Sequence, residues 1–296
     1  MVKSAKTTAR QRAEQARLAR ERAAARGRRV RTAWWSIAVA PALVVLFLII
    51  KAATPGSSEP TAAENTPLSA TTMAGLSPGA STLDNAGRGQ NVTFPKKVDG
   101  QPPLTQDGKP RVLYVGAEFC PFCASQRWPL VIALSRFGTF SGLTNAHSAS
   151  DDVFPNTATV SFHGASYTSD LLAFTGVETT TNTHQPLDTL TPDEQQIFNT
   201  YNAPPFATSQ GSIPFVDFGN QFLQTGASLQ PALLAGLSQD QIASAIVGDP
   251  TGQVAQAILG AANAFTGILC KLTGGQPGDV CTSTGATAYQ TEVNGG

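Results

Sequence analysis

The chain has 296 residues with 20 Lys/Arg and 20 Asp/Glu, and its formal charge of zero hides a strong asymmetry. Residues 1–33 carry eleven Lys/Arg and two acids, a net of +9, whereas residues 52–296 carry eight basic and eighteen acidic residues, a net of −10. Methionine occurs only at positions 1 and 73, which excludes a Met-rich copper site. The basic run lacks the interleaved aromatic residues that would point to nucleic-acid binding.

In chain order, residues 1–33 read as a basic cytoplasmic tail and residues 34–51 as a transmembrane anchor. Trp34 to Ile50 contains no charge. It is near the short limit for a membrane-spanning helix, and Thr32, Ala33, Ala52 and Ala53 can extend it. Trp34 and Trp35 suit the headgroup level, Lys51 can snorkel, and the Arg-rich side is expected to stay inside. A cleaved signal peptide is the competing reading. Its apolar region would be shorter, and a small-x-small cleavage site is not evident. The expectation is a single-pass protein of the cell membrane, N-terminus cytoplasmic and C-terminal domain extracytoplasmic.

Residues 52–77, rich in Pro, Ser, Thr, Ala and Gly, read as a flexible tether. Residues 78–296 read as the folded domain, large enough for a substantial core, and begin with an extended lead-in. Val112 to Val115 is a strand candidate and Ser125 to Phe137 a largely buried helix. Thr157 to His163 and Leu171 to Val177 suit strands. Thr191-Pro192-Asp193-Glu194 opens a helix that runs to about Tyr201, with Thr as cap, Pro first and Glu third. Ile213 to Phe218 and Gln221 to Thr225 flank Gly219-Asn220, a two-residue hairpin turn. Helices over 237–247 and 253–272 follow.

Cys120-Pro121-Phe122-Cys123 lies where the first strand ends and the first helix begins. A thiolate there faces unpaired backbone N–H groups and the positive end of the helix dipole, which makes it the better nucleophile. Cys120 is expected to be exposed and to attack, and Cys123, one turn on, to resolve the mixed disulfide. Half a zinc site and two structural cysteines are the bland alternatives. Zinc would want a second close Cys or His pair, and a c-type haem would want His where Ala124 stands. All four cysteines lie beyond the apolar span, as suits an oxidising compartment. Cys270 and Cys281 read as a structural disulfide contributing about 3 kcal/mol in the chain-entropy model. The sharper alternative is a relay exchanging electrons with Cys120 and Cys123. His147, His163 and His184 are scattered in polar contexts and read as ordinary loop or strand residues.

The order of elements, together with Ala117-Glu118-Phe119-Cys120-Pro121-Phe122-Cys123 and Ser212-Ile213-Pro214-Phe215, resembles the thioredoxin-like α/β fold. The resemblance implies that Pro214 is a cis-proline facing the cysteine pair and guiding the substrate backbone. It also implies an insertion between the Cys-x-x-Cys helix and the cis-Pro hairpin, over residues 138–210. The buried acid that thioredoxin places six residues before its first cysteine is replaced here by Tyr114, so the resemblance supplies no general base. The longer string from Val112 to Trp128, with Ala257 to Asn263 and Cys270 to Gly274, resembles a prokaryotic family catalogued as domain of unknown function 929, over about residues 78–296. The expected protein is a membrane-anchored extracytoplasmic thiol–disulfide oxidoreductase. It would act on protein thiols and disulfides with an envelope redox partner and no dissociable cofactor. A non-catalytic envelope binding or assembly module with static disulfides, and a copper-delivery protein, are the alternatives.

Overall fold

The computed structural model describes residues 64–295. The basic tail, the anchor and the first part of the tether lie outside the described residues. The elements are helices α1 (Ala70–Leu76) and α2 (Ala80–Ala86), strands β1 (Lys96–Lys97), β2 (Thr105–Gln106) and β3 (Lys109–Gly116), and helix α3 (Pro121–Leu134). Strands β4 (Thr139–Ser141), β5 (Thr144–His147), β6 (Ala158–Ser161), β7 (Ser166–Thr168) and β8 (Ala173–Glu178) follow. Helix α4 (Pro192–Tyr201), strands β9 (Phe215–Phe218) and β10 (Phe222–Thr225), helices α5 (Gln239–Gly248) and α6 (Gln253–Leu272) and three short C-terminal helices complete the chain.

This is a mixed α/β architecture organised on β3. Strand β8 pairs with it in parallel, β9 pairs with it antiparallel, and β10 and then β1 extend the sheet beyond β9. Strand β2 pairs with its first residues. Side chains alternate across a strand, so the two faces of β3 serve two cores. Leu113 and Val115 pack with Ile197 and Tyr201 of α4 and with Phe215 and Leu223. Val112 and Tyr114 join Trp128 of α3, Phe265 of α6, Phe218 and Phe222. Burial on both faces is why β3 reads as a continuous apolar run rather than an alternating one. Among the described residues, α6 alone is long and apolar enough to cross a membrane, yet most of it is buried inside this domain, so it is the core helix.

Two sequence expectations need correction at the start of the domain. Residues 66–77 are not a tether here. Helix α1 is capped by Ser69, whose Oγ accepts from Thr72 N at 2.9 Å, and both Ser69 and Thr72 donate to Asp240 of α5. A Cβ on Gly75 would lie 2.5 Å from Ala243. The small residues that resemble a linker are those that let α1 approach α5 closely. The lead-in from residue 78 likewise begins as helix α2 and becomes extended only later. Asn263 of α6 donates to Leu83 O and Gly87 O, both at 2.8 Å, closing the end of α2.

The expected helix start at Thr191 is present with its reciprocal capping bonds, Glu194 N to Thr191 Oγ1 at 3.3 Å and Thr191 N to Glu194 Oε2 at 2.9 Å. Arg111 of β3 ties this start to the sheet through Asp193 at 3.1 Å and Glu194 at 2.6 Å. In the β9–β10 hairpin, Gly219 and Asn220 take φ values of 68° and 56°. Phe218 pairs with Phe222, so the loop is one residue longer than the two-residue turn expected.

Asp217, two residues before Gly219, is buried opposite Leu113 and Leu223. Burial pushes its carboxyl up to about 7, against the Asn220 N–H and the Arg111 charge. An acid whose pKa rises on folding binds its proton more tightly in the folded state, so stability falls as pH climbs from about 4 to about 7. Asp217→Asn removes that loss. Urea unfolding should therefore show the variant gaining on the wild type between pH 5 and pH 8 by about 2 kcal/mol; a pH-independent difference would place the proton elsewhere.

Candidate active site

Strand β3 ends at Gly116, and the next residues turn back into α3, with Cys120 N donating to Ala117 O at 3.3 Å. Cys120 is the N-cap residue of α3. Its backbone is extended, Pro121 occupies the first helical turn, and its Sγ accepts from Cys123 N at 3.3 Å. A sulfur thus does the work that a Ser or Asp oxygen does at most helix starts. The two thiols are free. The Cys123 side chain, hydrogen-bonded to it, holds Cys120 below the ordinary thiol range; the N–H groups of Cys123 and Phe122 and the Arg127 charge add to this, while burial opposes it. Burial pushes Cys123 well above that range, and its bond to Cys120 raises it further. The two sulfurs are therefore driven apart in acidity by one helical turn.

The expectation of an exposed Cys120 is corrected: 6% of it is accessible, against 0% of Cys123. The 117–120 turn is pinned from two sides, by Glu118 N donating to Thr180 O at 2.8 Å and Ala149 N donating to Phe119 O at 2.9 Å. The second bond comes from the region between α3 and the hairpin. There β4 pairs with β7, β5 pairs with β6, and the loop after β5 reaches the cysteine turn. Thr159 of β6 donates to Ala124 O at 2.8 Å, and Trp128 Nε1 donates to Ala158 O at 3.1 Å.

Beneath the pair lies a buried charge network that carried no role in the sequence reading. Arg127 is one turn beyond Cys123. Its Nε and Nη2 donate to Glu178 at 2.8 and 2.6 Å, and Nη2 also donates to Ala117 O at 2.8 Å. Neither side chain is exposed. Burial raises the Glu178 carboxyl above its ordinary range while Arg127 pulls it back. Glu118, also buried, accepts from Ser161 Oγ at 2.6 Å. Tyr114 occupies the position six residues before Cys120. It is fully buried beneath Arg127, 6.0 Å from ring centre to guanidinium. The sequence signal for Arg127 was a lone cation inside an apolar helix, at i+4 from Cys123.

Val115 pairs with Phe215, so Pro214 lies at the carboxyl end of β3, the end from which the cysteine turn emerges. The Ile213–Pro214 bond is cis, and Pro214 O accepts from Gly226 N at 2.8 Å. Cys270 and Cys281 form a disulfide with Cα atoms 5.5 Å apart. It sits at the other end of the sheet. Leu272 abuts Gly219, whose N–H donates to Arg111 O near the start of β3. Five residues of strand, roughly 15–20 Å, separate that end from Gly116. Direct electron exchange with Cys120 does not fit this arrangement, and the bridge staples α6 to the C-terminal segment.

His147 meets Glu64 and Gln239, at 2.9 and 3.0 Å. His163 meets Asp188 at 2.7 Å. The His184 ring lies 4.8 Å from that of Phe119, the residue before Cys120. Among the described residues no three His, Cys, Asp or Glu side chains form a group that could hold a metal.

A family model described as Domain of unknown function (DUF929) matches residues 95–271. The chain belongs to this family. The match includes Cys120, Cys123, Pro214 and Cys270 and ends before Cys281. No curated protein and no solved structure matches the chain.

Breaking a buried ion pair on one side strands the other charge, whereas replacing both members by apolar groups is often neutral. Arg127→Met should lower unfolding stability by about 3–5 kcal/mol, and Arg127→Met with Glu178→Met should recover most of it. Urea titration distinguishes this from simple loss of packing, which would make the double variant the weaker of the two.

Proposed function

We propose that this protein is a membrane-anchored extracytoplasmic thiol–disulfide oxidoreductase with a thioredoxin-like fold. The observation that carries the reading is the Cys120 sulfur capping α3, with Cys123 wholly buried one turn behind it. The fold reading is supported by the strand order β8-β3-β9-β10, with β8 parallel to β3 and a closing antiparallel hairpin. It is supported too by the place of Pro214 at the start of that hairpin, beside the end of β3. The anchor and its orientation rest on the apolar span and the one-sided Arg excess.

The chemistry is two exchanges. The Cys120 thiolate attacks one sulfur of a partner's disulfide, that S–S bond breaks, and the released partner thiolate takes up a proton. Cys123 gives up its proton and attacks the Cys120 sulfur, which frees the second partner thiol and leaves Cys120 bonded to Cys123. The partner gains two electrons and the protein loses two. Run backwards, the same steps oxidise a dithiol partner. A second thiol or disulfide protein of the envelope resets the pair, and no dissociable cofactor enters.

With Cys123 replaced by Ser the first exchange has no resolving thiol. Full-length Cys123→Ser protein should accumulate mixed disulfides at Cys120 in cells, visible as reducible adducts on non-reducing gels, while Cys120→Ser should accumulate far fewer. Adducts absent from both variants would remove the oxidoreductase reading.

A further inference from the structure

The rim around Cys120 has a chemical character that narrows its partners. Two segments meet the cysteine turn, the loop over 148–156 and the turn over 179–187. The Phe154 ring packs edge-on to Phe122 at 6.0 Å, and the His184 ring lies on Phe119. Phe119, Phe122 and Phe154 are half-buried, and Val153 is 70% exposed. Cys120 as a whole residue is only 6% exposed inside this rim, an arrangement that favours a narrow extended segment over a broad folded surface.

The charge of the rim is one-sided. The two rim segments together contain Asp151 and Asp152 and no Lys or Arg. Asp151 and Asp152 directly precede the exposed Val153, and Asp151 reaches His184 at 3.5 Å. Arg127, the cation on the cysteine helix closest to the pair in sequence, is fully buried and neutralised by Glu178. Lys109 and Arg111 lie at the opposite end of β3. A cleft lined by one sign of charge attracts the opposite sign and speeds its arrival.

We infer that this site exchanges disulfides with cysteines carried in extended segments that bear Lys or Arg beside an apolar residue. The inference rests on the oxidoreductase reading and names its substrate class. In the tested step, reduced Cys120 attacks a disulfide-linked peptide dimer, the peptide S–S bond breaks, a Cys120–peptide bond forms, and one peptide thiolate leaves and is protonated.

The test uses reduced full-length protein in non-ionic detergent and three peptide dimers identical except for Lys, Gln or Glu on either side of the cysteine. At low salt the Lys dimer should react about tenfold faster than the Glu dimer, with the ratio shrinking as NaCl screens the rim. Asp151→Asn with Asp152→Asn should cut the ratio at least about threefold and leave the Gln dimer and neutral hydroxyethyl disulfide unchanged. The basic tail is common to both proteins and cannot produce that difference. Phe154→Ala should slow every peptide but not hydroxyethyl disulfide. Equal rates for the Lys and Glu dimers, with hydroxyethyl disulfide reacting normally, would overturn the inference and leave the oxidoreductase reading standing. Failure with hydroxyethyl disulfide itself would instead strike the oxidoreductase reading. The rim is then judged on Cys120→Ser/Cys123→Ser protein, where Ser-containing Lys peptides should bind more tightly than their Glu counterparts, and equal binding would overturn it.

Discussion

The Arg127–Glu178 ion pair is the constraint on which the cysteine site depends. Taking two charges out of water costs several kcal/mol per ion, which is offset only when geometry and hydrogen bonding are good. Here the guanidinium makes two bonds to one carboxylate and a third to Ala117 O. Those bonds join three elements: α3, which carries the cysteines; β8, the parallel neighbour of β3; and the turn that delivers Cys120 to the helix start. If the turn shifted, a buried guanidinium bond would be lost. The helix start is therefore held by the same charges that bias the thiols.

From that constraint the asymmetry of the pair follows. Cys120 sits at the mouth of the helix with backbone N–H groups directed at its sulfur, and Cys123 is sealed behind it. In the proposed mechanism the first sulfur carries the charge and the second waits as a thiol until a mixed disulfide forms. The far end of the sheet is held by an ion-pair cluster and a disulfide. Arg111 ties α4 to β3, and the Cys270–Cys281 bridge secures α6, both a strand length from the chemistry.

Much of this frame was legible before the structure, because periodicity and turn chemistry act locally. The helix over 253–272, the capped start at Thr191 and the strand before Cys120 needed only their own residues to be recognised. What was missed depended on contacts between distant segments. The residues of α1 look like linker because small side chains serve both a flexible chain and a helix packed at the contact of Gly75 with Ala243. Glu178 lies 51 residues from Arg127 in sequence, so nothing in either neighbourhood announces the other. The exposure expected of Cys120 failed for the same reason: the Thr180 and Ala149 contacts that cover its turn come from loops whose position no local pattern encodes.

The central claim is that Cys120 and Cys123 form a working redox couple rather than a static bridge, and its reduction potential tests that most directly. Full-length protein equilibrated in glutathione or dithiothreitol buffers of graded ratio, then alkylated and separated, reports the oxidised fraction of this pair. A working couple should titrate between about −120 and −270 mV. A pair that stays oxidised down to below about −300 mV would be a structural disulfide, and would contradict the account.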